Sequence, residues 1–351
     1  MANKAPNSKD LARKPRGFPD QAPNLIHARA ALVETITGVY RKWGFEALET
    51  GAFEYVDALG KFLPDTDRPN EGVFALQDDD EQWIARRYGL TAPTARFVAE
   101  AGQGLGKPYR RFAAGPVWRN EKPGPGRFRE FWQCDADTVG APGFHADAEM
   151  IAMGAEALRA VGMKPGEFVL RVNTRRLLNG VLDAVGAQKS ETRLAVLRAL
   201  DKLDRLGSDG VADLLGEGRM DESGDFTKGA GLGLAEVKSV LAFAEAGATT
   251  RSATLTNLSA AVGNSEEGKE GLAELEAIAM ALEALGSPEG DVVIDPSFFR
   301  VLEYYTCPVI EAELLRDVVV YDGKTSRIVS SRGGGLNVDL VARFPAPPVR
   351  A

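Results

Sequence analysis

The sequence predicts an α+β fold, an antiparallel sheet flanked by helices and carrying an α-helical insertion. Three stretches predict it. Residues 107–140 read as two strands joined by a proline–glycine loop. Asn24 to Trp43 reads as one long helix that stops at Gly44 and continues as extended chain. Residues 175–286 are dominated by helical patterns, whereas strand patterns precede and follow them.

The elements follow in order. Residues 1–14 lack a periodic pattern and read as a disordered tail. Ile26, Ala30, Val33, Ile36, Val39 and Tyr40 recur at helical spacing, and Gly44 is placed as a C-terminal glycine. Phe45 to Val56 alternates and reads as strand, as does Trp83 to Tyr88. Ala92 to Gly102 reads as helix. The hairpin occupies 107–140, an Ala-rich helix 146–162, and a short strand 168–173. Helices are expected at 176–186, 190–206, 235–246 and 268–285, with a Gly- and Asp-rich stretch at 216–229. Strands resume at Val292–Ile294, near Tyr304–Leu314, and at 316–331. The expected division is therefore a domain of 15–174 with 287–344, an insertion of 175–286, and a C-terminal tail of 345–351.

A chain of 351 residues exceeds the usual size of one core, so its length leaves open one large domain with an insertion or two domains. It has 42 Lys and Arg against 50 Asp and Glu, a net charge of −8. That excludes a general nucleic-acid binder but allows a local basic patch, and residues 107–129 contain one. The two cysteines, Cys134 and Cys307, and two histidines, His27 and His145, have no zinc spacing. Free thiols in a reducing cytoplasm are expected. No apolar run approaches the ~20 residues that span a bilayer, and Met-Ala-Asn-Lys-Ala-Pro-Asn-Ser lacks the apolar core of a secretory signal. Asp221, Ser223 and Asp225 alternate, but the twelfth position of that run is Leu232, so a calcium loop is not expected.

The hairpin carries most of the chemistry. Arg119, Lys122, Arg127 and Arg129 crowd it, enough cation to neutralise a polyphosphate, and a guanidinium can grip one bidentately. Along the second strand Gln133, Asp135 and Asp137 share one face. A cationic hairpin followed by polar and acidic groups suits a nucleotide held beside a small amine-bearing substrate.

Residues 115–139 resemble motif 2 of class II aminoacyl-tRNA synthetases, in the histidyl form. Arg86-Arg87-Tyr88-Gly89-Leu90-Thr91-Ala92-Pro93 is similar to that family's amino-acid-binding strand. Arg300-Val301-Leu302-Glu303-Tyr304-Tyr305-Thr306 is similar to its histidine motif, and Gly333-Gly334-Gly335 with Asp339-Leu340-Val341 to its glycine-rich motif. The likeness runs from Pro15 to about Phe344. It implies a class II synthetase-type sheet and a histidine–tRNA ligase of the cytoplasm that uses ATP, as its Mg2+ complex, with histidine and tRNA(His). By resemblance Arg119 and Arg300 are catalytic cations. Thr91, Gln133, Asp137, Tyr304 and Tyr305 bind histidine, and Glu121, Arg127 and Phe131 join Arg119 at ATP. Asp137 would accept an imidazole N–H. The unit of about residues 24–56 would form a homodimer interface.

The pattern also departs from the family. Where the family has an acid that pairs with the substrate ammonium, this chain has Gly89. Losing such a charge-assisted bond costs on the order of 1.5–3 kcal/mol. Val301, Cys307 and Gly51 replace two glycines and a proline, and Leu336-Asn337-Val338 stands where Arg and Tyr are expected. Motif 3 and the anticodon-binding domain do not follow Phe344. A second expectation therefore stays open: a non-catalytic relative such as the regulatory subunit of ATP phosphoribosyltransferase in histidine biosynthesis, which binds histidine without charging tRNA.

Overall fold

The computed structural model describes residues 12–59, 72–124, 127–187, 189–220, 224–263, 265–298 and 308–315, apart from the side chain of residue 204, and the backbone of 316–321 and 326–333. Residues 1–11 of the expected tail, Arg300, Tyr304, Tyr305, the motif after Gly333 and the stretch 345–351 lie outside the described residues. Two compact units result: residues 1–140 with 160–162 and 316–351, and residues 141–159 with 163–315.

The first unit opens with helix α1, Pro23–Lys42. Pro23 sits in its first turn, where a missing N–H costs nothing, and Arg41 and Lys42 lie in its last turn, beside the negative end of the dipole. Gly44 adopts φ 80°, and Gly44 and Phe45 donate their N–H groups to the Arg41 and Tyr40 carbonyls, closing the helix end. The expected strand Phe45–Val56 is broken. It becomes β1 (Glu46–Ala47), β2 (Phe53–Tyr55) and a helical turn α2 (Val56–Leu59). The cause is Arg87, whose Nη1 draws the Thr50 carbonyl at 2.9 Å and the Gly51 carbonyl at 3.5 Å, turning the chain from one sheet to another.

Strands β3 (Ala75–Gln77) and β4 (Trp83–Arg86) join β2 in the order β2-β4-β3, and α3 (Thr91–Ala101) follows. The main sheet has β1 parallel to β5 (Tyr109–Trp118), which pairs antiparallel with β6 (Glu130–Val139) over all ten residues of each strand. α1 packs its buried Ile36, Val39 and Tyr40 on this sheet. The Tyr40 ring lies 5.9 Å from Phe112, and its hydroxyl donates to the Cys134 carbonyl at 3.0 Å.

The second unit begins with α4 (His145–Ala160) and β7 (Phe168–Thr174). Helices α5 (Arg175–Ala184), α6 (Ser190–Leu200) and α7 (Leu203–Leu215) come next, then β8 (Gly218–Met220) and β9 (Phe226–Lys228). Helices α8 (Leu234–Ala244), α9 (Arg251–Val262) and α10 (Glu266–Ala284) precede β10 (Val292–Ile294) and β11 (Pro308–Tyr321). β7 takes β10 as a parallel neighbour and residues 308–314 of β11 as an antiparallel one. Past Leu315 the chain belongs to the first unit's share, as does β12 (Ser326–Gly333), the next strand in order.

Three expectations change here. The helix expected at 190–206 is two helices, parted at Asp201 and Lys202, and α7 is kinked at Gly207 (φ 67°). The Gly- and Asp-rich stretch folds into the β8–β9 hairpin. α9 was not foreseen, because its Ser-, Thr- and Asn-rich sequence has weak helix propensity. Burial of Leu255, Leu258 and Val262 and the Thr250 cap on the Ala253 N–H hold it instead.

α5 meets α10 where Gly180 faces Gly268. A Cβ on Gly180 would lie 2.4 Å from the Gly268 Cα, which is backbone and cannot swing aside. Gly180→Ala is expected to lower stability by about 1–3 kcal/mol, read as a fall in urea midpoint. An unchanged midpoint would show that the helices separate freely.

Candidate active site

The site is built on the β5–β6 hairpin of the first unit. Antiparallel register places Gly115 opposite Gln133, Ala113 opposite Asp135, and Arg111 opposite Asp137. Gln133, Asp135 and Asp137 therefore stand in a row, and two of their three cross-strand partners are small. The other face of β6 turns Cys134 toward α1, where burial pushes its thiol up to about 12. That cysteine carries no thiolate chemistry at neutral pH.

The turn from β4 into α3 forms the wall above this row. Arg87 is buried there. It donates through Nε to the Pro116 carbonyl at 3.1 Å and to Thr50 and Gly51 as described. Its guanidinium lies 2.7 Å from where a Gly115 Cβ would be, so only glycine leaves room. Arg87 thus fixes the turn that presents Tyr88, Gly89, Leu90 and Thr91. A Cβ on Gly89 would meet only Gln133 Oε1, at 3.7 Å.

Arg111 is fully buried at the deep end. It pairs with Asp137 and donates through Nη2 to the Leu90 carbonyl at 2.8 Å. Burial raises the Asp137 carboxyl, while Arg111 and the Thr91 hydroxyl pull it back. Burial also pushes Asp135 up to about 6, and the neighbouring Asp137 charge adds to the rise. Arg111, the Leu90 N–H and Arg119 act against it. Gln133 Oε1 and Arg111 Nε and Nη1 are buried without hydrogen-bond partners. Unmade bonds of that kind are costly unless a ligand completes them.

At the open end of the hairpin Arg119 lies over the Phe131 ring at 5.1 Å and donates through Nε to the Tyr88 carbonyl at 3.1 Å. Glu121 pairs with Arg127, not with Arg119. Arg129 serves the fold: its Nε donates to the Glu121 carbonyl at 2.9 Å, its N–H meets the Gly17 carbonyl, and its stem occupies the space beside Gly17.

Of the residues expected from the sequence, Thr91, Gln133, Asp137, Arg119 and Phe131 are gathered along one hairpin and the turn above it. Glu121 and Arg127 stand at its loop. Arg300, Tyr304 and Tyr305 lie outside the described residues. Sequence reasoning placed Asp135 on the right face but gave it no role, and it passed over Arg111. The register could have found Arg111, since Arg111 and Asp137 each lie thirteen residues from Gly124, within the loop.

Among the described residues no helix is long and apolar enough to cross a membrane, and no group of three or more His, Cys, Asp or Glu residues could hold a metal ion.

A family model described as histidyl-tRNA synthetase matches residues 17–312. A protein of Caulobacter vibrioides named histidine–tRNA ligase is 60% identical over 334 residues, covering 95% of this chain and 68% of its own length. One of Brucella ovis, of the same name, is 55% identical over 354 residues, with 100% and 70% covered. Among solved structures, the histidyl-tRNA synthetase of Nostoc sp. PCC 7120 superposes with a TM-score of 0.72 at 27% identity, covering 87% of this chain and 65% of that one. A Bacillus halodurans protein described as an ATP phosphoribosyltransferase regulatory subunit/histidyl-tRNA synthetase reaches 0.74 at 21% identity, a likeness of fold. The chain spans about two thirds of the length of the first three relatives.

Proposed function

The chain belongs to the histidyl-tRNA synthetase family, with that family's α+β fold, and from that premise we propose that its site activates histidine with ATP for transfer to tRNA(His). In this step a histidine carboxylate oxygen bonds to the α-phosphorus, the bond to the β-phosphate oxygen breaks, and pyrophosphate leaves. The main barrier is negative charge meeting negative charge, so cations held in advance are what the site must supply. Mg2+ enters with ATP as part of that substrate.

The observation that carries the reading is the Gln133–Asp135–Asp137 row lying under Thr91, with Arg119 at its open end. Arg111 pairs with Asp137 and opposes the rise that burial gives its carboxyl, which suits Asp137 to accept an imidazole N–H. Phe131 below and the Tyr88 carbonyl behind hold Arg119, so its fork is oriented before a phosphate arrives. We assign Glu121 and Arg127 to the nucleotide, and Arg300, Tyr304 and Tyr305 to closing the histidine pocket. We also assign homodimer formation to residues 24–56, where Ile26, Phe53 and Tyr55 are exposed. The cytoplasm is the proposed compartment.

Histidine-dependent exchange of pyrophosphate into ATP tests the activity. The expected result is exchange that requires histidine. Histidine binding in calorimetry with no exchange and no response to ATP would instead favour the regulatory reading, which the lack of an acid at Gly89 motivates. Sedimentation equilibrium tests the dimer: a monomer at micromolar concentration would remove that assignment.

A further inference from the structure

We infer that the Asp135 carboxylate is the ligand for the substrate's ammonium group, supplied from β6 in place of the side chain that Gly89 lacks. The inference rests on the histidine reading of the site.

Position is the first support. Asp135 stands between Gln133 and Asp137 on the open face of the sheet, and its cross-strand partner is only Ala113. Its two neighbours in the row bracket the turn above: Gln133 Oε1 lies beside Gly89, and Arg111, paired with Asp137, donates to the Leu90 carbonyl. Asp135 therefore stands on the floor between them, beneath the place that a side chain on residue 89 would reach from the roof. Gln133 Oε1 flanks the same space, 3.7 Å from the Cβ direction of Gly89, and has no hydrogen-bond partner. Two acceptors thus lie side by side beneath the turn, and one of them, Gln133 Oε1, is unpaired.

Charge is the second support. Arg111 pairs with Asp137 and donates to the Leu90 carbonyl, both through Nη2. Asp135 makes no ion pair among the described residues, and Arg119 acts on it only through space. With both acids ionised, Arg111, Asp135 and Asp137 together carry one uncompensated negative charge in a partly buried setting. Burial and Asp137 raise the Asp135 carboxyl, as an acid waiting for a cation should be raised. A structural acid would have its partner already, as Asp291 has in Arg159 and Asp295 in Arg171. An amino acid's ammonium would neutralise the charge, and its three N–H donors match Asp135 and Gln133.

Calorimetric titration with histidine and with imidazolepropionate, which is histidine without its amine, tests this. The chain should prefer histidine by at least about 30-fold, and Asp135→Asn should cut histidine affinity by about 10- to 100-fold while leaving imidazolepropionate within about threefold. Adding Gly89→Asp to Asp135→Asn should restore most of the preference, because the carboxylate returns from the other wall. Gly89→Asp alone should bring no gain, since it sets a third carboxylate beside Asp135. Asp135→Asn with an unchanged preference for histidine overturns the inference and leaves the histidine reading standing. A wild-type chain that binds no histidine overturns that reading, and the inference with it.

Discussion

Arg119→Ala is expected to lower histidine-dependent pyrophosphate exchange by about 10²–10³-fold, the size seen when one preorganised charge donor is removed. The side chain is placed by two weak contacts, the Tyr88 carbonyl and the Phe131 face. Their loss costs stability only about 1 kcal/mol. Arg119→Lys should recover little of the activity. An ammonium can neither stack on Phe131 as a plane nor present two parallel N–H bonds. The fall should appear mainly in the rate at saturating ATP, because the charge it meets grows in the transition state. Exchange within about tenfold of wild type for Arg119→Ala would move the phosphate-facing role elsewhere on the hairpin.

Much of this site was legible because one hairpin builds it. Lys122-Pro-Gly-Pro-Gly126 forbids helix, so the strands on either side had to run antiparallel, and period-two alternation then put Gln133, Asp135 and Asp137 on one face. What escaped the reading depends on contacts between distant residues. Arg87 bends the chain at Thr50 and Gly51 from a position 36 or more residues away, and no local pattern in Phe45–Val56 announces it. α9 escaped for a similar reason, since its stability comes from buried Leu255 and Leu258 and not from its own propensity. Arg111 was hidden differently. Arg110 and Arg111 together read as part of an exposed basic patch, and only pairing the strands shows a carboxylate across from Arg111.

Arg111→Met is expected to destabilise the chain by about 3–5 kcal/mol at pH 8, since removing one partner of a buried pair leaves the other's charge unanswered. Two carboxylates depend on this guanidinium, Asp137 by direct contact and Asp135 through space. Both have folded-state pKa values raised above the unfolded ones. An acid so raised binds its proton more tightly in the folded chain, so the stability it contributes is full below about pH 4 and is lost as pH rises through its folded-state value, about 6 for Asp135. Without Arg111 both values climb further and the loss extends to higher pH. The deficit of Arg111→Met in urea unfolding should therefore be large at pH 8 and shrink markedly at pH 5. A deficit equal at both pH values would mean that the lost contribution is packing and not charge. Asp135→Asn should act in the opposite direction. The rise of that carboxyl from 3.8 to about 6 is worth up to about 3 kcal/mol, and the amide relieves it, so the variant should gain stability at pH 8 and gain nothing near pH 4. A carboxylate kept at such a cost, and needed only when a cation arrives, belongs to the ligand and not to the fold. Asp135→Asn less stable than wild type at pH 8 would return Asp135 to a structural role.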